Sequence, residues 1–122
     1  MSRQTLSYNA ASAIAANDWV EPDGTTGNVK TFDGTGDPLG IVKSAFDPGN
    51  PLTSGDEKVG VIRRGLVSAP AVDADYQVGQ GVEVNASNLI VNQSAGTQVG
   101  TVVTQKTANA PDNLIEIDVF LG

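Results

Sequence analysis

A chain of 122 residues, 39% of them apolar, is the size of one domain with one modest core. Fourteen Asp and Glu against seven Lys and Arg give a net charge of -7, which opposes any general affinity for nucleic acid or anionic lipid. Cysteine and histidine are both absent, and with them go disulfides, thiol nucleophiles, Cys/His zinc sites and every catalytic pair built on imidazole.

No stretch approaches the ~20 consecutive apolar residues of a membrane span. The start, Met1-Ser2-Arg3-Gln4, lacks the basic segment and apolar core of a leader, so the chain is read as soluble and uncleaved. Residues 1–12 are polar and small, with Leu6 and Tyr8 the only large apolar groups, and cannot bury enough surface to hold a shape by themselves. They are read as an extended N-terminal arm awaiting a partner, and residues 13–122 as a single β domain.

Glycine and proline fall between short runs of Val, Ile and Thr, the punctuation of many strands and tight turns with little helix. In chain order the predicted strands are Ala13 to Val20, Val29 to Phe32, Leu39 to Ala45, Glu57 to Arg63, Leu66 to Ala69, Val82 to Asn85, Leu89 to Asn92, Val99 to Gln105 and Leu114 to Leu121. Asp23-Gly24 and Asp33-Gly34 supply positive-φ turns between the early strands, and Asp47-Pro48-Gly49-Asn50-Pro51 cannot continue one. Ala86-Ser87-Asn88 has the length of a hairpin connection. In the last strand Ile115, Ile117, Val119 and Leu121 share one face, with Glu116 and Asp118 on the other. An echo of apolar, Gly, any residue, β-branched recurs at Leu39-Gly40-Ile41-Val42, Val59-Gly60-Val61-Ile62 and Val99-Gly100-Thr101-Val102. It is read as three strands of one curved sheet, because repeats of constant length are absent. The expected fold is all-β, a small antiparallel β-barrel or sandwich-like domain.

Carboxylates are the only plentiful reactive groups. Asp33-Gly34-Thr35-Gly36 resembles an Asp-Thr-Gly turn, but glycine intervenes between Asp and Thr, so turn chemistry is the better reading. The pairs Asp73/Asp75 and Asp56/Glu57 lack the alternating oxygen ligands of a calcium loop. Gly79-Gln80-Gly81 is followed by neither lysine nor helix and is no phosphate cradle. Arg63 and Arg64, adjacent in a strand, must face opposite sides, as surface charge or in an intersubunit salt bridge. Trp19, the sole tryptophan, belongs in the core, or failing that at an interface. No catalytic residue, cofactor site or metal site is expected, and the chain is read as no enzyme. A carbohydrate-binding or adhesin-like β module is the alternative class. A small acidic hydrolase using Asp33 or Asp73 is a weaker third.

Val29-Lys30-Thr31-Phe32-Asp33-Gly34-Thr35 with Leu39-Gly40-Ile41-Val42, and upstream Ala13-Ile14-Ala15-Ala16-Asn17-Asp18-Trp19-Val20, resemble the lambda-type head decoration proteins of tailed phages. Gly60-Val61-Ile62-Arg63-Arg64-Gly65-Leu66-Val67-Ser68-Ala69-Pro70 and Gly79-Gln80-Gly81-Val82-Glu83-Val84 are similar to the wider group of phage capsid cement proteins. The resemblance implies a virion protein on the outer surface of the capsid, a homotrimer that binds the major capsid protein and cements the expanded head. On that reading Arg3, Leu6 and Tyr8 are the expected capsid-binding residues of the arm, and Trp19, Arg63 and Arg64 the candidates for contacts between copies. Neither nucleic acid nor membrane is an expected partner.

Overall fold

Apolar side chains at every second position bury one side of a strand and leave the other wet, and this alternation sets the longest elements of the chain. The computed structural model describes residues 4–10, 12–24, 27–34, 36–47, 58–109 and 113–121. Its strands are β1 (Gln4–Ala10), β2 (Trp19–Pro22), β3 (Asn28–Thr31), β4 (Gly40–Ile41), β5 (Lys58–Pro70), β6 (Gly81–Val84), β7 (Ile90–Asn92), β8 (Gly100–Val102) and β9 (Leu114–Phe120). No helix occurs among the described residues. In β9 the inward set Ile115, Ile117 and Val119 is buried, as the alternation requires, while Leu114, Glu116 and Phe120 are exposed.

The strands run in the order β1-β3-β2-β4-β5-β9-β8-β6-β7, and β1 also pairs with β5. That second pairing closes β1-β3-β2-β4-β5 into a barrel. The remaining strands extend from the second half of β5, and a bridge from Ala71 to Ile90 brings β7 back to its end. Every strand pairing is antiparallel except β1 with β3. The architecture is thus the expected all-β barrel.

Three readings of the sequence need correction. The stretch Ala13 to Val20 is not one strand: Ile14 makes an isolated bridge to Phe46, the chain turns at Asn17 (φ 72°), and β2 starts only at Trp19. The strands expected at Glu57 to Arg63 and at Leu66 to Ala69 merge over their described residues into one, Lys58–Pro70, because Gly65 continues the extended chain at a φ of 118° that a side chain would resist. The segment read as an arm is extended, and Gln4–Ala10 lies along β5 of its own chain in registered pairs from Gln4 with Arg64 to Asn9 with Lys58.

The hydrogen bonds also show a repeat. Ile14 and Phe46 exchange two backbone bonds of 2.8 Å, and Tyr76 and Lys106 do the same at 2.8 and 3.0 Å. Leu39 N–H donates to Val20 as Val99 does to Val82, and Val42 donates to Asp18 as Val102 does to Gln80. Ala10 pairs in parallel with Val29, and Ala71 with Ile90. Leu6 and Tyr8 oppose Val61 and Val59, just as Val67 and Ala69 oppose Ile117 and Ile115. The chain therefore builds one supersecondary unit twice, first from β1 to the first half of β5, then from the second half of β5 to β9. Two of the three glycine echoes, at Gly40 and Gly100, are counterparts in this repeat; Gly60 is not.

The apolar residues divide accordingly. One cluster joins Ile14, Val20, Val29, Val42, Phe46, Val59 and Val61, with Tyr8, Ala10 and Leu39 against it. The larger one contains their counterparts Tyr76, Val82, Ile90, Val102, Ile115 and Ile117, and adds Trp19, Phe32, Ile41 and Ile62 from the first unit. Those four weld the units together.

Candidate functional site

A β-barrel of short strands leaves chemistry to the loops and the outward strand faces, so each is built up in turn. In the first unit Glu21, at 0% exposure, sits mid-strand in β2 with its carboxylate turned under the loop that follows β3. It accepts N–H donors from Asp33 at 3.1 Å and Gly36 at 2.5 Å, with Lys30 Nζ at 3.9 Å. Glu83 repeats the arrangement in β6 and accepts the N–H of Gly96 at 2.6 Å. A buried carboxylate that gathers backbone donors fixes a loop firmly, because charge-assisted bonds are about twice as strong as neutral ones.

The two loops meet. Thr97 donates its hydroxyl to Asp37 at 2.8 Å, and a cleft of about 630 Å³ opens between Phe32, Gly34, Gly36, Asp37 and Pro38 on one side and Val84, Ala86, Ala95, Gly96 and Thr97 on the other. Asn88, at a φ of 66° in the β6–β7 connection, spans the units: its Oδ1 accepts Trp19 N–H at 2.7 Å, and its Nδ2 donates to the carbonyls of Trp19 and Phe32 at 3.1 and 3.0 Å. Half of the residues that line the cleft are glycine or alanine.

Of the site residues expected from sequence, Arg3 lies outside the described residues. Leu6 and Tyr8 stand on the inward side of β1, and Arg63 joins them: it donates from Nη1 to the Tyr8 hydroxyl at 3.1 Å and from Nε to the Leu39 carbonyl at 3.2 Å. Arg63 thus ties β1 to the strands beside it. Arg64 is exposed on the other side of β5, opposite both Gln4 and Phe120. Trp19 is fully buried. Its proposed contact with another copy is corrected to a core role, since a ring with no accessible surface has nothing to offer a neighbour.

Sequence reasoning passed over Glu21, Glu83 and Asn88. A signal existed for the carboxylates: Val20-Glu21 precedes Leu39-Gly40, and Val82-Glu83 precedes Val99-Gly100, the same dipeptide ahead of the same echo. Asn88 gave none, because its partners are distant in the chain.

The carboxylates Asp73 and Asp75, weighed above as cation ligands, cap a turn: Asp75 accepts the N–H of Ala108 and Asp73 that of Asn109, both at 2.7 Å. Among the described residues no group of three or more His, Cys, Asp and Glu is placed to hold a metal ion. The buried Tyr76 donates its hydroxyl to the Val72 carbonyl at 2.7 Å, with that of Ile90 at 3.1 Å. Burial, and then the nearby negative charge of Asp73, push its ionisation above the ordinary tyrosine range.

Two outward surfaces remain. The first is the edge of β1, which meets β3 only at Asn9 and Ala10, so that Gln4 to Tyr8 pair with β5 alone among the described residues. The second is the outer face of β5-β9-β8, where Leu66, Val103, Leu114 and Phe120 are 37–47% exposed. Arg64, Ser68, Glu116 and Asp118 share that face with them.

A scan against protein-family models found no match, and neither did a comparison with curated proteins. Among solved structures the fold does recur. It is similar to the N base of the head fiber gp8.5 of bacteriophage phi29 at 14% identity and a TM-score of 0.62, over 97% of this chain and 94% of that one. It is also similar to a chain of the capsid of Myoviridae phage XM1 at 14% identity and a TM-score of 0.64, over 98% of this chain and 84% of that one. The barrel and its added strands are thus shared with proteins of phage heads, at the level of fold.

Proposed function

We propose that this chain is a structural protein of a tailed-phage virion, which binds the outer surface of the capsid and cements the expanded head through contacts with the major capsid protein and between its own copies, as a trimer. The observation that carries the reading is the fold, matched over 97 and 98% of the chain by a head-fiber base and by a capsid chain. The composition supports it. A negatively charged domain on the outside of a shell has no need of DNA affinity, and a site made of loops and strand faces suits adhesion without chemistry.

The edge of β1 from Gln4 to Tyr8, which among the described residues pairs only with β5, gives the capsid protein a place to add a strand, with backbone bonds for affinity and side-chain positions for specificity. Arg3, Leu6 and Tyr8 would frame that contact. Each copy contributes a modest area, and many copies on a symmetric shell multiply it by avidity.

The test is cosedimentation of the purified chain with expanded capsids that lack it. Retention at a fixed number of copies per capsid, with a higher capsid melting temperature, is the expected result. Release of the chain during sedimentation, or retention unchanged by Arg3→Ala with Leu6→Ala, would overturn the capsid reading and the assigned edge respectively.

A further inference from the structure

Little of β1 is buried. Of its seven residues only Tyr8 and Ala10 are not exposed, whereas Val67 and Ala69, the counterparts of Leu6 and Tyr8 in the second unit, are buried. Its outward residues Thr5, Ser7 and Asn9 are polar, and Ser7 lies opposite Gly60. A strand with a polar face that crosses a glycine has a weakly specified register. Against this stands a feature of the first unit alone. Gln4 pairs with Arg64 and Thr5 with Ile62, so Arg63 has no partner on β1 and is the extra residue of a bulge. At the corresponding place in the second unit Arg64, Gly65 and Leu66 pair one by one with Phe120, Val119 and Asp118, and Val119 is buried. A bulge re-aims the side chain it carries. Here the guanidinium of Arg63 meets two acceptors, the Tyr8 hydroxyl 3.1 Å from Nη1 and the Leu39 carbonyl 3.2 Å from Nε.

We infer that Arg63 is the positioning residue of the β1 edge: by joining the Tyr8 hydroxyl to the Leu39 carbonyl it holds β1 on β5 in the register that presents Gln4 to Tyr8 to an incoming strand. Tyr8 is suited to be the anchor, because its ring packs against the first apolar cluster while its hydroxyl takes the bond. Arginine is suited to the other side. Its planar fork sets two N–H groups apart and serves two acceptors on separate segments, where a lysine ammonium is a single point on a flexible stem. A strand that adds to β1 meets its backbone groups in a fixed order, and a β1 that frays or slides offers no constant partner. The inference deepens the reading of this edge as the capsid contact and rests on it, and the hold on β1 and the capsid contact are measured separately.

The test is amide hydrogen exchange of the full chain, resolved over residues 4–10, beside cosedimentation with expanded capsids that lack the protein. Tyr8→Phe keeps the ring and removes only the hydroxyl. Arg63→Met keeps an apolar stem and removes both donors. Each is expected to speed exchange over residues 4–10 by about tenfold and to leave β6 to β9 unchanged. Tyr8→Phe added to Arg63→Met changes nothing further, because the bond is already gone, whereas two independent packing effects would add. Arg63→Lys falls between Arg63→Met and the unaltered chain. Retention on capsids falls in the order in which exchange rises. Tyr8→Phe decides the case if Arg63→Met does not fold. Unchanged exchange in Tyr8→Phe overturns the inference, as does a double variant whose effects add. Faster exchange with undiminished capsid retention overturns the reading of the edge as the capsid contact, while the hold of Arg63 on β1 stands.

Discussion

Glu21 and Glu83 do the same task at different depths, and the difference sets their weight. Glu21 has no exposed surface and accepts the N–H groups of Asp33 and Gly36, whereas Glu83 is half-buried and accepts that of Gly96. Glutamine in place of Glu21 keeps one acceptor but turns an NH₂ group toward a backbone N–H, which leaves a buried donor without a partner. Glu21→Gln is expected to cost about 2 kcal/mol and to lower the melting temperature by about 5–10 °C, as read by calorimetry. Glu83→Gln should cost under about half of that, since water can replace the lost bond. Tyr76 gives a second measurement. Its ionisation is displaced upward by burial and by Asp73, so the fold favours the neutral phenol. That contribution is complete below about pH 10, the unfolded value, and is lost as pH rises through the folded one. The urea midpoint should therefore fall as the pH is raised above about 10. Tyr76→Phe, less stable at neutral pH by about 1 kcal/mol for its lost hydrogen bond, should show a flatter alkaline limb.

At the scale of strands, the glycine echo separates into two kinds. A Cβ on Gly40 would lie 2.4 Å from the carbonyl oxygen of Ile62, and one on Gly100 would lie 2.4 Å from that of Asp118, both backbone atoms that cannot step aside. A Cβ on Gly60 would meet only the Thr5 methyl at 3.4 Å, an ordinary contact. Alanine at position 40 or 100 is thus expected to destabilise by about 1–3 kcal/mol, by forcing adjacent strands apart. At position 60 it should be neutral or slightly stabilising, since a strand glycine sacrifices more chain entropy. Chemical denaturation of the three variants would check this order. The same comparison shows what was legible in the sequence. β9 and the β6–β7 hairpin were, because their signals are local: alternation in one, a short polar connection in the other. β1 was not, because Leu6 and Tyr8 are its only large apolar residues, and the strand that gives it a place, β5, lies far along the chain. The repeat was hidden because its identity lies in hydrogen bonds. Ile14 corresponds to Tyr76 and Phe46 to Lys106, changes that erase sequence similarity while the backbone pairs persist. The site was legible only in part: Arg63 and Tyr8 were singled out as separate features, yet they touch.

For the whole molecule, the repeat implies that stability is shared unequally. In the second unit the strand that covers Ile115 and Ile117 is the continuation of β5, so it cannot leave without unfolding the centre of the sheet. The equivalent position in the first unit is taken by β1, whose Leu6 is 39% exposed where its counterpart Val67 is 2% exposed. Closing that barrel therefore depends on a strand that buries little of itself. Removing residues 1–10 should uncover Val59 and Val61 on β5 and leave Val29 without the parallel pairing of Ala10. The larger cluster would keep its own members, and Trp19, Ile41 and Ile62 would still anchor β2 and β4 to it. Hydrogen exchange followed by mass spectrometry is expected to show the truncated chain still folded. Protection should be lost over Asn28–Thr31 and the first half of β5 and retained over β6 to β9, the pattern of one cooperative unit opening beside another. Uniform loss would mean that the two clusters fold as one and that β1 closes the entire molecule. Unchanged protection would mean that β1 contributes nothing to the barrel it completes. Between those extremes, selective opening of the first unit follows directly from a chain that builds the same unit twice but covers it well only once.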